Sequence, residues 1–458
     1  MKQKFFSLML IASLLLFGCA QQKRQTPVYP GVEWTHVESL ESIGWSTAKL
    51  TKAQAYAQRI GSAAVMVINN GVVVASWGDM AHKYFCHSMR KSLMSALYGI
   101  YAADGKIDLS ATLQQLGIDD RTSLTEAEMT ATVKDLLSAR SGVYLEAAGE
   151  AASMKAMRPA RGSHAPGTFW YYNNWDFNAL GTIFDQLSGE RNIYTAFDKR
   201  IANPIGMEDY DSEELHYSYE PYSRHPYYGF RLSARDAARF GLLFLRNGRW
   251  EENQVVPADW VRESTTAHSN ISPQSGYGYM WWLGEGEGGF PNVDEGPGSY
   301  YASGAGGQNI IVMPARHLVV VHLVDTDAGM SVSEANIGTL LWMILDAAGE
   351  TDIGDPPFLD QATGTRLTAD TLSQAFIGKT LHAWQGGIEI TTYHTDHSIS
   401  VQLEGMNVTQ GRWWVEGDNY CHDLGPDYGG RQCFQILQHG NELTLFDLDG
   451  YATMTFQY

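Results

Sequence analysis

Basic residues are scarce in this chain. Lys and Arg total 32 against 51 Asp and Glu, a formal net charge of −19 at pH 7. Such a surface repels phosphate backbones and excludes nucleic acid as a partner. Cysteine is rare, with 4 in 458 residues. No apolar run beyond residue 17 reaches bilayer-spanning length, and no internal repeat is evident. Metal-ligand spacing is also missing. His394-Thr395-Asp396-His397 lacks a third ligand and reads as a solvated strand edge. No metal and no organic cofactor is expected. What remains is ordinary for a protein with a large core: 44% hydrophobic and 18% charged residues. The length suits two folded units plus tails. With 13 Trp and 24 Tyr, aromatics are plentiful enough for β-structure and for a cleft.

The N-terminus carries its own signal. Met1-Lys2-Gln3-Lys4 is positive, and Phe5 to Phe17 is apolar but too short to cross a bilayer. This pattern reads as a secretory signal peptide over 1–18. Leu16-Phe17-Gly18-Cys19 resembles the lipobox of bacterial lipoproteins. That resemblance implies cleavage before Cys19, lipid on its thiol and a polar tether over 19–44. Ala20 after the cysteine points to the outer membrane, facing the periplasm. An oxidising compartment permits a disulfide between Cys421 and Cys433, twelve residues apart. A loop of that size contributes roughly 3 kcal/mol in the chain-entropy model. Cys86 reads as a buried small hydrophobe.

Helices and strands follow from periodicity. Ala63–Ile68 and Val72–Trp77 flank Asn70-Gly71, a strong hairpin signal. Helices are expected over 88–103, 132–138, 175–188, 234–246 and 334–348. Strands are expected over 278–283, 309–313 and 318–324. Helices between an early hairpin and late strands predict an α+β domain over 45–350, its sheet built from both ends. Residues 351–370 read as a linker, and 371–458 as a small all-β barrel or sandwich without helical period.

Chemistry centres on Ser88-Met89-Arg90-Lys91. Residues i and i+3 share a helix face, so the Ser88 hydroxyl and Lys91 amine can meet. A serine becomes nucleophilic when an adjacent base takes its proton, and a desolvated lysine is such a base. The spacing alone is weak: Ser46-Thr47-Ala48-Lys49 repeats it in an entry segment.

Three further segments support Ser88. Thr132-Val133-Lys134-Asp135-Leu136-Leu137-Ser138-Ala139-Arg140-Ser141-Gly142, Pro166-Gly167-Thr168-Phe169-Trp170-Tyr171-Tyr172-Asn173 and Ala302-Ser303-Gly304-Ala305-Gly306-Gly307-Gln308 occur in that order. Together they resemble the motifs of β-lactamase-related (class C-like and penicillin-binding-protein-like) serine hydrolases, across about residues 45–348. The resemblance implies an antiparallel sheet with a helical region and an acyl-enzyme on Ser88. Lys91 would be its base. Tyr171 would relay protons as a phenolate favoured by the Lys91 cation. Asn173 would bond Lys91 or substrate. The backbone N–H groups of Ser88 and Ala305 would form the oxyanion hole, with Ser303 and Gly304 lining the substrate site. Tyr172 reads as aromatic packing.

Two departures stand out. Penicillin-recognising relatives carry a lysine on the closing strand. Ala302-Ser303-Gly304 has none, so an ester or amide lacking the matching carboxylate is the expected substrate. Arg140 stands where relatives often carry His. Alternatives are a penicillin-binding or D-aminopeptidase-like peptidase acting on a cell-envelope peptide, a β-lactamase, or a catalytically inactive envelope-binding lipoprotein. Substrate identity and oligomeric state are not legible.

Overall fold

A computed structural model describes residues 27–271, 275–284, 289–384, 388–403, 409–424 and 431–458. The expected signal peptide, Cys19 and the first residues of the expected tether lie outside the described residues.

A helix and a hairpin begin the N-terminal unit. Ser46 caps helix α1 (Thr47–Ile60), accepting from the Lys49 amide. Strands β1 (Ala64–Asn69) and β2 (Val72–Gly78) form the expected hairpin. Both turn residues take positive φ, Asn70 at 52° and Gly71 at 93°, as a tight hairpin turn requires. Helix α2 (Arg90–Ala103) follows a short 3-10 turn over His87–Met89. Then come α3 (Asn174–Ser188) and α4 (Ala234–Leu245). The sheet resumes with β3 (Ser269–Asn270), β4 (Ser275–Tyr277), β5 (Trp282–Gly284), β6 (Ser299–Gly304), β7 (Gln308–Met313) and β8 (Leu318–Leu323). Helix α5 (Glu334–Ala347) closes the unit.

The sheet is antiparallel and eight-stranded, in the order β2-β1-β8-β7-β6-β5-β4-β3. Its two ends of sequence meet where β1 pairs β8, Ala64 opposite Leu323. Alternation then sorts side chains between two cores. Ala64, Met66 and Ile68 face the helical region with α2, α3 and α4. Val65 and Val67 face α1 and α5. Helix α2 is buried from Arg90 through Tyr101, so it is the central rod of the helical region.

The structure departs from expectation in three places. Residues 30–37, read as part of a tether, run against the sheet edge instead. Thr35 and Val37 bond Val73, Trp34 is buried, and Arg239 donates to the carbonyls of Gly31 and Val32. The expected strand over 278–283 is split, because Met280 has φ 60° and breaks the ladder. The C-terminal unit also contains a helix, α6 (Ala369–Phe376).

That unit is a closed antiparallel barrel. Its strands are β9 (Thr380–Trp384), β10 (Ile388–Tyr393), β11 (Ser398–Leu403), β12 (Thr409–Glu416), β13 (Asn419–Asp423), β14 (Arg431–His439), β15 (Glu442–Phe446) and β16 (Ala452–Gln457). Pairing of β9 with β16, and of β14 with β15, closes the ring. Phe376 of α6 plugs it against Tyr393, Trp413 and Tyr420. A disulfide joins Cys421 to Cys433 across β13 and β14.

Candidate active site

The 3-10 turn places Ser88 at the head of α2. His87, just before it, sits at φ 47°, a conformation a β-carbon-bearing residue adopts only when its surroundings hold it. Its Nε2 lies 2.9 Å from Thr326 Oγ1. Ser88 is half-buried, whereas Lys91 is 1% exposed.

Lys91 is the hub. Its Nζ lies 2.9 Å from Ser88 Oγ, 2.6 Å from the Tyr172 hydroxyl and 2.9 Å from Asn174 Oδ1. The amine also sits 4.5 Å from the Phe177 ring centroid. Burial, and secondarily the Arg90 cation, drive its pKa well below that of a free lysine. Burial raises the Tyr172 phenol to about 12, with a Ser88 hydrogen bond and Arg90 opposing. That phenol is therefore neutral near pH 7. Its ring stacks on Trp282 at 5.2 Å, which fixes where the hydroxyl points.

The partners of Lys91 are thus Tyr172 and Asn174, one residue beyond those expected. Tyr171 turns away and donates to the Met154 carbonyl at 2.9 Å. Asn173 is the N-cap of α3. Its Oδ1 accepts from Trp175 N, and its Nδ2 donates to Val143 O and to Asp176 Oδ1. The cause is a doubled motif. Tyr171-Tyr172-Asn173-Asn174 contains the Tyr-x-Asn spacing in two overlapping registers. The cap decides between them: a side chain committed to the helix end cannot also reach Lys91. Asn173 with Asp176 three residues on is a recognisable helix-start signature, and it was the signal that could have settled the register.

The closing strand meets the serine directly. A β-carbon on Gly304 would lie 2.3 Å from Cys86 O and 3.1 Å from Ser88 N, so only glycine permits this approach. The following turn takes positive φ at Gly306 and Gly307, 83° and 101°. Gln308 then pins the turn with its buried amide. Nε2 donates to Val324 O at 2.7 Å, and Oε1 accepts from Val324 N at 3.1 Å. His322 adds a second anchor. Its Nδ1 donates to Gly307 O at 2.7 Å, so its Nε2 accepts from Ser62 Oγ at 2.8 Å. Burial lowers His322 to about 4, which keeps it neutral. Ala305 emerges exposed, and among the described residues neither its amide nor that of Ser88 makes a backbone hydrogen bond. Ser303 is half-buried on β6, opposite Asn309.

Other expected residues take structural posts. Arg140 straps the motif loop down, donating to Gly167 O and, at 2.6 Å, to Ser269 Oγ. Lys49 of the second Ser-x-x-Lys pairs with Asp346. His394 bonds Ser400, and His397 packs on Trp413. Cys86 is buried, which pushes its thiol far up and leaves it unreactive.

A buried lysine between serine and tyrosine, at the foot of a glycine-bearing strand in an antiparallel sheet, defines a class of hydrolase folds. The family model described as Beta-lactamase matches residues 47–341, and the chain belongs to that family. Solved structures agree on the fold. SurE, in its structure with D-Leu, aligns with TM-score 0.51 at 19% identity, covering 90% of this chain and 99% of SurE. A further SurE structure gives 0.50 at 18%, covering 92% and 100%. A putative 6-aminohexanoate-dimer hydrolase from Bacillus anthracis gives 0.51 at 19%, covering 70% of this chain and 88% of that one. No curated protein matches the chain.

Proposed function

We propose that this chain hydrolyses an ester or amide bond through an acyl-enzyme on Ser88. The observation that carries the reading is one buried amine within 2.9 Å of Ser88 Oγ, the Tyr172 hydroxyl and Asn174 Oδ1. A neutral amine has two N–H donors and one lone pair. Its donors match Tyr172 and Asn174, which leaves the lone pair for the Ser88 proton.

In the acylation step that proton passes to Lys91 as the serine oxygen attacks the carbonyl carbon. The developing oxyanion sits between the free amides of Ser88 and Ala305. Collapse breaks the bond to the leaving group, which takes the proton from Lys91 through Tyr172. Water, deprotonated by the same route, then releases the acid and restores Ser88. Tyr172 takes the relay role assigned to Tyr171 from sequence, and Asn174 takes the place of Asn173.

The substrate class follows from what the closing strand offers. Ala302, Ser303 and Gly304 present no cation for a substrate carboxylate, and half-buried Trp282 stands beside Tyr172. An ester or amide with an uncharged acyl part fits better than a penicillin. Export and lipid attachment at Cys19 complete the proposal and place the enzyme in the bacterial envelope.

A fluorophosphonate probe tests the mechanism: it labels Ser88 in the wild type and nothing at that position in Ser88→Ala. A panel of chromogenic esters, anilides and nitrocefin tests the substrate class. No labelling of the folded wild type rejects the mechanism, and nitrocefin turnover outpacing the esters rejects the substrate class.

A further inference from the structure

Among the described residues, one charged side chain beside this site has no counter-ion. Arg90, the first residue of α2, is 1% exposed. Its Nη2 donates to Asn178 Oδ1 at 3.2 Å and its Nη1 to the His87 carbonyl at 3.5 Å. Its Nε has no partner among the described residues. The guanidinium otherwise faces the rings of Tyr227, at 3.9 Å, and Tyr228, at 4.6 Å. Arg239, equally buried, shows the usual solution: it pairs with Glu208 at 3.0 Å. Asn178, which Arg90 bonds, stands one helical turn beyond Asn174, which Lys91 bonds, so the two basic groups reach neighbouring positions on one face of α3. Leaving a buried cation without a carboxylate costs several kcal/mol in general, so this placement calls for a reason.

We propose that Arg90 acts through Lys91: its uncompensated charge holds the neighbouring amine in the neutral form that can take the Ser88 proton. This rests on the acyl-enzyme reading above. Two like charges in a dry site repel strongly, and an amine answers by shedding its proton. The groups facing Lys91 offer nothing to reverse this. Ser88, Tyr172, Asn174 and Phe177 are uncharged in their ordinary states. Asp176, on α3, is turned onto Ser141 and Asn173, and burial raises its carboxyl well above the usual range. Arg90 also opposes the effect of burial on Tyr172, Tyr227 and Tyr228, easing proton relay at Tyr172.

Two variants remove the field in different ways. Arg90→Met deletes the charge. Asn178→Asp keeps Arg90 and sets a carboxylate against its Nη2. Both are read by the pH dependence of fluorophosphonate labelling at Ser88, and by titration of Lys91 in protein carrying 13C-labelled lysine, with Lys91→Arg assigning the signal. The expected result is an acidic limb and a Lys91 midpoint that move up together by on the order of one pH unit. Should Arg90→Met not fold, Asn178→Asp alone decides. Labelling with unmoved limb and midpoint overturns the role of Arg90 and leaves the acyl-enzyme standing. No labelling of the wild type at any pH overturns both.

Discussion

Two buried polar clusters flank the start of α3, and they solve the same problem in opposite ways. In one, Asp176 accepts from Ser141 Oγ and Asn173 Nδ2, and Ser141 Oγ in turn accepts from Val143 N. Every group there is turned inward and satisfied. In the other, Lys91 gathers Ser88, Tyr172 and Asn174, yet its serine remains half-exposed beneath a glycine strand. Both are hydrogen-bonded, and both have strongly shifted pKa values. The difference is access. A closed cluster is a strut, whereas a cluster with one reactive atom open to a cleft can do chemistry. A perturbed pKa alone does not tell them apart.

The comparison breaks most decisively at its reactive end. Ser88→Ala or Lys91→Ala is expected to lower kcat/KM by about a thousandfold or more. Steady-state hydrolysis of the best chromogenic substrate measures this, and activity within tenfold of wild type would equate the two clusters.

Next in size is the contrast between adjacent tyrosines. Tyr172→Phe is expected to cut kcat by about 10²- to 10³-fold. Tyr171→Phe removes only a bond to the Met154 carbonyl and is expected to leave kcat within a few-fold. Equal losses from both variants would reverse the register assigned here.

At the closed cluster the effect moves from rate to stability. Ser141→Ala leaves Asp176 short of a donor inside the core and is expected to cost about 1–3 kcal/mol of unfolding free energy. Urea denaturation measures it, while Ser88 labelling stays within a few-fold of wild type.

A further contrast sharpens what satisfaction means for a buried acid. Glu295 takes one N–H, from Phe290, and its Oε2 has no partner among the described residues. Burial raises its carboxyl to about 8 from 4.5. The folded state therefore holds a proton that the unfolded chain has lost. Stability is full below pH 4.5 and falls as pH rises toward 8, by about 1.4 kcal/mol per pH unit at most. Glu295→Gln is expected to flatten that slope, with thermal unfolding at pH 5 and pH 8 as the check.

Much of this protein was readable along the chain. Asn70-Gly71 announced its hairpin. Ser88 and Lys91 declared their helical spacing because i and i+3 is a local relation. Less readable was anything that depends on a partner distant in sequence. Trp34 and residues 30–37 look like a polar tether until the sheet edge at Val73 and the guanidinium of Arg239 are supplied. Met280 sits in an apolar, strand-like run, and only its positive φ reveals the break.

The amino-acid order determined the family motifs, the sheet-forming segments and a serine one helical turn from a lysine, since these rest on periodicity and short-range geometry. Tertiary structure alone decided which of two neighbouring tyrosines reaches that lysine, and that a cation without a counter-ion is sealed in beside it. The physical reason is that a helix cap claims Asn173 and thereby rotates Tyr172 inward. Burial, a property of the whole fold, sets the charge of everything Tyr172 then touches.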